Sequence, residues 1–260
     1  MRKIHKTAII SKEAKISENV EIGPYCIIGD GVEIGEGTVL ESFVQIEKLT
    51  KIGKKNKIYG PSHIGFPPQD ISYKGEETFL EIGDENIIRE YSTIHRGTKK
   101  GGGITRIGNK NFLMAYSHIA HDCQVGNNII FANCGTLAGH VEVGDFSTIG
   151  AFSAIHQFCK VGKYAFLGGF TVATQDVLPF CRTVGARPAK NYGINVIGLK
   201  RLGFSEERIE KLKRLFRILF QSKLILGEAI KKAEEEMEKD EDVCYFLDFI
   251  KSSKRGVIGR

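Results

Sequence analysis

The chain has 260 residues, of which 42% are hydrophobic and 26% are charged, so it can bury a core and is not disordered by composition. Its net charge of +6 permits an acidic partner, but no basic, aromatic-interleaved motif predicts nucleic-acid binding. No apolar run approaches the roughly 18 residues that span a bilayer, and the six cysteines contain no C-x-x-C pair typical of structural zinc. We therefore expect a cytoplasmic protein without a membrane span.

Most of the chain carries an aliphatic residue at every sixth position. The first run consists of Ile4, Ile10, Ile16, Ile22, Ile28, Ile34, Leu40, Ile46, Ile52, Ile58 and Ile64. The pattern resumes at Ile82 and, after a shift of one residue, runs again from Ile107 to Leu167. Neither an α-helix nor an ordinary strand has this period. Period six fits a short strand followed by a corner, with one inward aliphatic side chain per side and a glycine that relieves the bend.

Three such sides would form a triangular coil of about eighteen residues, and stacked coils would lie about 4.8 Å apart. Each fully buried Ile or Leu would contribute roughly 1.5–3 kcal/mol. The pattern resembles that of hexapeptide-repeat proteins, whose left-handed parallel β-helix is an exception to the usual right-handed crossover. We therefore predict a mainly β fold, with this solenoid in residues 1–190 and an α-helical domain in residues 191–260.

Two segments interrupt the period, "GFPPQDISYKGEETF" at 65–79 and "GTKKGGGIT" at 97–105. Insertions in repeat proteins usually lie on a binding face, so we expect both loops to border a site. The alternative is that they are tolerated surface insertions. The three glycines at 101–103 do not predict a phosphate cradle, because no strand-to-helix context surrounds them.

After about residue 190 the spacing becomes helical. Ser205 can cap a helix whose first turn carries Glu206 and Glu207, and further helices are predicted at about 226–239 and 242–251. This region also concentrates basic residues, namely Lys200, Arg201, Lys211, Lys213, Arg214 and Arg217.

Four histidines fall in one part of the predicted solenoid: His118, His121, His140 and His156. The coil repeat places His121 beneath Gly139. It also places Asp122 beneath His140. The other two histidines each adjoin an inward isoleucine, so alternation points them outward. Imidazoles clustered along an outer edge are typical of a functional site rather than of a core.

Two chemistries fit this cluster. Three histidines could hold zinc, as in the carbonic anhydrases that share this fold. Alternatively, one histidine acts as a general base that a carboxylate orients. The position of Asp122 directly after His121 favours the second chemistry, as does the acyl-chain-sized apolar tract "FLGGFTVA" two to three coils further along.

The segments "HIAHDC", "TIHRGT", "HQF", "LAGHV" and "GLKRLGFS" together resemble the UDP-N-acetylglucosamine O-acyltransferase family over essentially the whole chain. These enzymes use acyl carrier protein as the acyl donor and catalyse the first step of lipid A synthesis. The resemblance implies transfer of a 3-hydroxyacyl chain to the 3-position of UDP-N-acetylglucosamine without a cofactor. It also implies a cytoplasmic homotrimer with each of three active sites between neighbouring subunits.

The resemblance assigns roles to individual residues. His121 matches the general base, Asp122 its orienting partner, and Gly139 the backbone N–H that stabilises the oxyanion. The positions that match substrate contacts are His118, His140, His156 and Gln157, with Gln69 and Asp70 at the sugar and Asn195 and Arg201 at the nucleotide and its phosphates. Gly169 matches the position that measures acyl length.

Three positions depart from the family's pattern. Ser72 in "QDISY" stands where the family usually has Lys, Ile197 where an acidic nucleotide contact is common, and Leu202 where a second Arg often follows. Loss of a cation at Ser72 would relieve repulsion of a protonated amine, so the 3-amino analogue of UDP-N-acetylglucosamine is an alternative acceptor. In the opposite interpretation, Lys74 folds back and replaces the missing charge.

Other functions are also compatible with parts of this sequence. A related N-acyltransferase carries an extra N-terminal domain, for which repeats beginning at Ile4 leave no room. An acetyl-CoA-dependent sugar acetyltransferase should not need a helical C-terminal domain, and a zinc hydrase or an inert scaffold are the remaining alternatives. For an acyltransferase, we expect the acidic helix of the carrier protein to meet the basic surface formed by Lys200, Arg201, Lys211 and Arg214.

Overall fold

The computed structural model describes residues 3–259. Its strands begin with β1 Lys3–Ile4, β2 Ile9–Ile10, β3 Lys15–Ile16, β4 Glu21–Ile22, β5 Ile27–Ile28, β6 Glu33–Ile34, β7 Val39–Leu40, β8 Val44–Ile46, β9 Thr50–Ile52 and β10 Lys57–Ile58. They continue with β11 Ser62–Phe66, β12 Phe79–Ile82, β13 Ile87–Ile88, β14 Thr93–His95, β15 Ile104–Ile107, β16 Phe112–Leu113, β17 His118–Ile119, β18 Gln124–Val125, β19 Ile130–Phe131 and β20 Thr136–Leu137. The last are β21 Glu142–Val143, β22 Thr148–Ile149, β23 Ala154–Ile155, β24 Lys160–Val161, β25 Phe166–Leu167, β26 Val172–Ala173, β27 Cys181–Val184 and β28 Lys190–Ile194.

Successive strands of the solenoid belong in turn to three sheets. The first sheet begins with β1 and β4, the second with β2 and β5, and the third with β3 and β6, and each strand from β1 to β23 pairs in parallel with the third strand after it. The predicted left-handed parallel β-helix is confirmed. We call the corners that lead from the second sheet to the third the loop edge, and those from the first sheet to the second the aromatic edge.

The inward aliphatic residues form the core of the solenoid. Every in-phase residue from Ile16 to Leu167 is buried, as the six-residue period predicts. Ile4 is 45% exposed and Ile10 is half-buried, because the first coil has a neighbouring coil on only one side. The six-residue period therefore marks side chains that stacked coils cover, and the burial of these side chains decreases where the stack ends.

The glycines that follow inward residues have a different role from the one predicted. Gly23 does not adopt the left-handed conformation, which falls two residues later at Tyr25, with φ 58°. A Cβ on Gly23 would instead lie 2.9 Å from the backbone carbon of Glu41 in the next coil. Glycine is required there for close contact between coils, and the bend itself is made by residues of many types.

The C-terminal part follows a hairpin in which β27 and β28 pair antiparallel, and β28 runs across the predicted boundary at residue 190. Its helices are α1 Val196–Arg201, α2 Glu206–Phe220, α3 Leu226–Glu236 and α4 Glu241–Ser252. The hydroxyl of Ser205 accepts a hydrogen bond from the N–H of Arg208, which confirms the predicted cap of α2. The predicted second and third helices correspond to α3 and α4, whereas α1 was not predicted.

The helices enclose a second apolar core, which includes Leu199, Phe216 and Phe246 together with Phe180 from the end of the solenoid. The chain then returns to the solenoid, where Ile258 is buried in its core and donates its N–H to the carbonyl of Asp176. No helix among residues 3–259 is both long enough and apolar enough to cross a membrane.

Candidate active site

Both inserted loops leave the solenoid at the loop edge. The first connects β11 to β12 and the second connects β14 to β15, with a short 3-10 helix at Lys99–Gly101. The next three corners of the same edge carry His121, His140 and Gln157. A cleft of about 480 Å³ lies there, lined by Gln69, Asp70, Ile71, Lys100, His121, His140, Gln157 and Phe158. Both loops therefore contribute side chains to the lining of one cleft.

His121 is held by the carboxylate of the next residue. Its Nδ1 lies 2.7 Å from Oδ2 of Asp122, and its ring lines the cleft. A neutral imidazole carries one ring proton. When this proton is on Nδ1 and is donated to a carboxylate, Nε2 is unprotonated. No residue within 3–259 forms a hydrogen bond to Nε2. His121 can therefore accept a proton from a molecule in the cleft.

Asp122 has a fully buried side chain. Oδ1 accepts the backbone N–H of Thr98 and Oδ2 accepts the Thr98 hydroxyl, both at 2.7 Å. Burial alone would raise the pKa of the Asp122 carboxyl, but the hydrogen bonds from His121 and Thr98 outweigh it and hold the pKa below its usual range. The buried carboxylate is therefore charged at neutral pH and can stabilise a protonated His121.

His140 stands above this pair. Its Nε2 lies 3.6 Å from Oδ2 of Asp122, and its ring stacks on Phe158 with 4.4 Å between the ring centroids. Burial lowers the pKa of His140, against the opposing effect of Asp122, and His121 lowers it further. A neutral imidazole at this position can form hydrogen bonds to a molecule in the cleft without adding a positive charge beside His121.

Gly139 lies directly over His121, as the coil repeat predicts. A Cβ at this position would come within 2.5 Å of Cε1 of His121, so only glycine leaves the ring in place. The carbonyl of Gly139 accepts the N–H of Phe158, but its own N–H has no hydrogen-bond partner among residues 3–259. An unpaired backbone donor therefore stands next to the imidazole.

The first inserted loop carries its own carboxylate to the cleft. Oδ1 of Asp70 accepts the backbone N–H of Ser72 at 2.7 Å, and this hydrogen bond lowers the pKa of Asp70. The Ser72 hydroxyl in turn accepts a hydrogen bond from Nζ of Lys100 at 3.2 Å. The expectation that Ser72 leaves the site without a cation is wrong. The cation comes from Lys100 in the second loop and not from Lys74.

The three-histidine zinc site considered as an alternative does not form among the described residues. His118 contacts the Thr93 hydroxyl at 2.7 Å, while His156 contacts the Arg255 guanidinium at 2.9 Å. His121, Asp122 and His140 do have potential ligand atoms within 4.8 Å of one another. Both oxygens of that carboxylate, however, already accept hydrogen bonds from the protein.

Three predicted site residues lie away from the cleft within one chain. Gly169 is exposed on the aromatic edge, between β25 and β26. Asn195 caps α1, accepting the N–H of Gly198 at 3.2 Å. Arg201 is exposed in the last turn of the same helix. The single chain thus unites Gln69, Asp70, His121, His140 and Gln157, but not these three.

Sequence reasoning missed several residues around the site. His95 is buried edge-to-face against His118, and burial lowers its pKa to about 4. Arg96 is also buried and donates hydrogen bonds to the Gly65 carbonyl at the start of the first loop and to the Tyr73 hydroxyl near its middle. Both residues stand in the quoted "TIHRGT" segment, but the six-residue period does not show which of its side chains face the loops.

Family models match three segments of this chain, and a known protein matches nearly all of it. Residues 176–258 match the family model described as domain 2 of UDP-N-acetylglucosamine O-acyltransferase, and residues 13–48 and 104–139 match that of bacterial transferase hexapeptide repeats. The acyl-(acyl-carrier-protein)–UDP-N-acetylglucosamine O-acyltransferase of Thermodesulfovibrio yellowstonii is 55% identical over 257 residues, which cover 99% of each chain.

Solved structures of such acyltransferases also match nearly the whole chain. The UDP-N-acetylglucosamine O-acyltransferase of Moraxella catarrhalis is 46% identical with a TM-score of 0.95, covering 98% of this chain and 99% of that one. The UDP-N-acetylglucosamine acyltransferase of Campylobacter jejuni is 41% identical with a TM-score of 0.92, covering 99% of this chain and 100% of that one. The chain therefore belongs to the UDP-N-acetylglucosamine O-acyltransferase family.

Proposed function

We propose that this protein transfers a 3-hydroxyacyl chain from acyl carrier protein to the 3-hydroxyl of UDP-N-acetylglucosamine, the first step of lipid A biosynthesis. The donor and the acceptor are those named for its relatives. The observation that carries the proposal is the His121–Asp122 pair, in which a buried carboxylate holds Nδ1 while the ring lines a cleft between two inserted loops.

The geometry supports a base-catalysed acyl transfer. Nε2 of His121 removes the proton from the sugar hydroxyl as its oxygen attacks the thioester carbonyl, and Asp122 stabilises the resulting imidazolium. The unpaired N–H of Gly139 is suited to donate to the oxyanion that forms. When the intermediate collapses, the C–S bond breaks and His121 returns the proton to the departing thiolate. No cofactor enters these steps.

We propose that Gln69, Asp70, His140 and Gln157 bind the sugar in the cleft, because all four line it together with His121. The remaining predicted contacts, His118, His156, Asn195, Arg201 and Gly169, lie outside that lining. His118 and His156 adjoin the cleft in the same chain, through His121 and Gln157 respectively. For Asn195, Arg201 and Gly169 to act on the same substrate, a second copy of the chain must bring them to the cleft.

We propose that this assembly is a cytoplasmic homotrimer with each site between neighbouring subunits. The aromatic edge supports it, because exposed rings stack along this edge from coil to coil. Phe152 and Phe170, 55% and 67% exposed, stack with centroids 5.1 Å apart, and Tyr91 stacks on Tyr116 in the same way. An exposed apolar stripe of this kind suits burial against another subunit. Gly169 lies on the same edge, next to Phe170.

Replacement of His121 by Ala should abolish most of the activity. A positioned general base typically contributes about 10²–10⁴ in rate, so we expect at least a hundredfold loss of kcat in His121→Ala, with an unchanged melting curve. Asp122→Asn should lose less, because it disturbs the orientation of the base without removing it. Retention of a tenth of the wild-type kcat by His121→Ala would refute the assignment.

The basic surface expected to bind the carrier protein is largely neutralised. Three of its four cations form ion pairs within the chain, Lys200 with Glu206, Lys211 with Glu238 and Asp240, and Arg214 with Glu236. Arg201 has no ion pair among residues 3–259. Exposed pairs are worth about 0–1 kcal/mol, so acidic side chains of a partner can displace them.

Association with the carrier protein should therefore depend on salt, but less steeply than for an unpaired basic patch. We expect the KM for the acyl donor to rise between low and physiological ionic strength while the KM for the sugar nucleotide changes less. Steady-state kinetics in a salt series measure both constants. A donor KM that does not respond to salt would count against docking on this surface.

Gly169 should limit acyl length if a neighbouring subunit brings it to the acyl chain. Its Cβ position is open except for the Ala151 carbonyl oxygen at 3.3 Å, so a side chain can be added if that carbonyl shifts slightly. Gly169→Met should shift the preferred donor to a chain several carbons shorter, since each buried CH₂ is worth about 0.8 kcal/mol. Competition among donors of different length measures the shift, and an unchanged profile would place the acyl groove elsewhere.

The acceptor should be the 3-hydroxyl sugar and not its 3-amino analogue. Lys100 places a positive charge in the cleft, which would repel a protonated amine. We expect kcat/KM to favour the hydroxyl acceptor by about tenfold or more and Lys100→Gln to reduce this ratio by about threefold or more. Lys99→Gln is the matched control, because Lys99 is exposed but does not line the cleft.

A second variant tests whether the positive charge is the reason for the acceptor preference. Ser72→Lys should restore the ratio in the Lys100→Gln background, because it returns a cation to the same place from the other loop. If the amine acceptor is preferred by the wild type, or if neither lysine changes the ratio, the cation does not select the acceptor.

A further inference from the structure

The second inserted loop reaches beneath the cleft as well as bordering it. Thr98, at its start, is only 4% exposed and does not line the cleft. Its backbone N–H donates to Oδ1 of Asp122 and its hydroxyl to Oδ2, each at 2.7 Å. One residue thus occupies both oxygens of the carboxylate that orients His121.

The hydroxyl of Thr98 is itself fixed in place. It accepts the backbone N–H of Gly101 at 3.2 Å, which closes the 3-10 turn of the loop, and this leaves its own hydrogen to point at Asp122. Gly101 packs so closely on the carboxyl that a Cβ there would lie 2.0 Å from Cγ of Asp122. The loop therefore fits over the carboxylate and determines where its oxygens lie.

The oxygen that Thr98 contacts through its hydroxyl is the one that accepts from His121. Rotation of the carboxyl group would break the bonds to Thr98 and to Nδ1 together. A fourth hydrogen bond of Asp122, from its backbone N–H to the Thr105 hydroxyl at 2.7 Å, holds the main chain but does not involve the carboxylate.

We propose that Thr98 is a positioning residue for the acyl transfer, acting through Asp122 on the orientation of His121. The proposal rests on the proposed function of the site. It assigns a catalytic consequence to the second insertion, whose hydroxyl sets the direction of the base without contacting either substrate.

Thr98→Val and Thr105→Val form a matched pair that tests it. Each removes one buried hydroxyl that bonds to Asp122, but only Thr98 bonds to the carboxylate. We expect Thr98→Val to lower kcat by about 10–100-fold with the KM for both substrates within about twofold, because misplacement of a catalytic group by about 1 Å can cost that much. Thr98→Ser should restore kcat, and Thr105→Val should keep it within about threefold.

Melting temperatures of all variants separate this effect from a general loss of stability. If Thr98→Val does not melt cooperatively, Thr98→Ala provides the same comparison with less steric change. In an Asp122→Asn background, Thr98→Val should cost less than about threefold, since the charged carboxylate on which it acts is already gone.

The outcomes are distinct. Equal loss of kcat in Thr98→Val and Thr105→Val, or full additivity with Asp122→Asn, would overturn the positioning role. A wild-type protein that does not acylate UDP-N-acetylglucosamine would instead overturn the proposed function. A drop in kcat confined to the Thr98 variants that lack a hydroxyl supports the inference.

Discussion

The register between stacked coils is the constraint on which the rest of the molecule depends. Ile119 pairs with Leu137 and Leu137 with Ile155, so residues one coil apart lie directly over one another. Backbone hydrogen bonds between coils and the buried aliphatic column fix this register together, since a slip of one residue would turn the inward side chains outward. The same stacking sets Gly139 over His121 and brings His140 to 3.6 Å from Asp122.

Because the register is set inside the solenoid, the chain can leave it at a corner and return in phase. Ile64 pairs with Ile94 across the first insertion, and Ile94 pairs with Ile119 across the second. Both loops leave from the same edge, so their side chains meet those of the following corners. This brings Asp70, Lys100 and His121 together although they are far apart in the sequence.

Periodicity alone was sufficient to predict the core and the stacking of Asp122 under His140, because both follow from the coil length. It could not show that Gly23 is needed for contact between coils and not for the bend. The close contact falls at Gly23 and the left-handed bend at Tyr25, only two residues later. Nor could periodicity find Lys100 beside Ser72 or Thr98 on Asp122. These contacts depend on the path of non-repeating loops, which no period describes. The motif "TIHRGT" named the segment that contains Thr98 but not the direction of its hydroxyl.

The solenoid also separates groups that the proposed reaction would have to bring together. His121 lies on the loop edge and Gly169 on the aromatic edge, and a rigid solenoid cannot bring two of its edges together. In the proposed reaction, His121 can meet a sugar held by the inserted loops of its own chain, but a residue on another edge can take part only in a neighbouring copy. The stacked rings beside Gly169 give that edge an apolar surface suited to such a contact. The rigidity that positions the base is therefore also the reason for proposing that the complete site is shared between subunits.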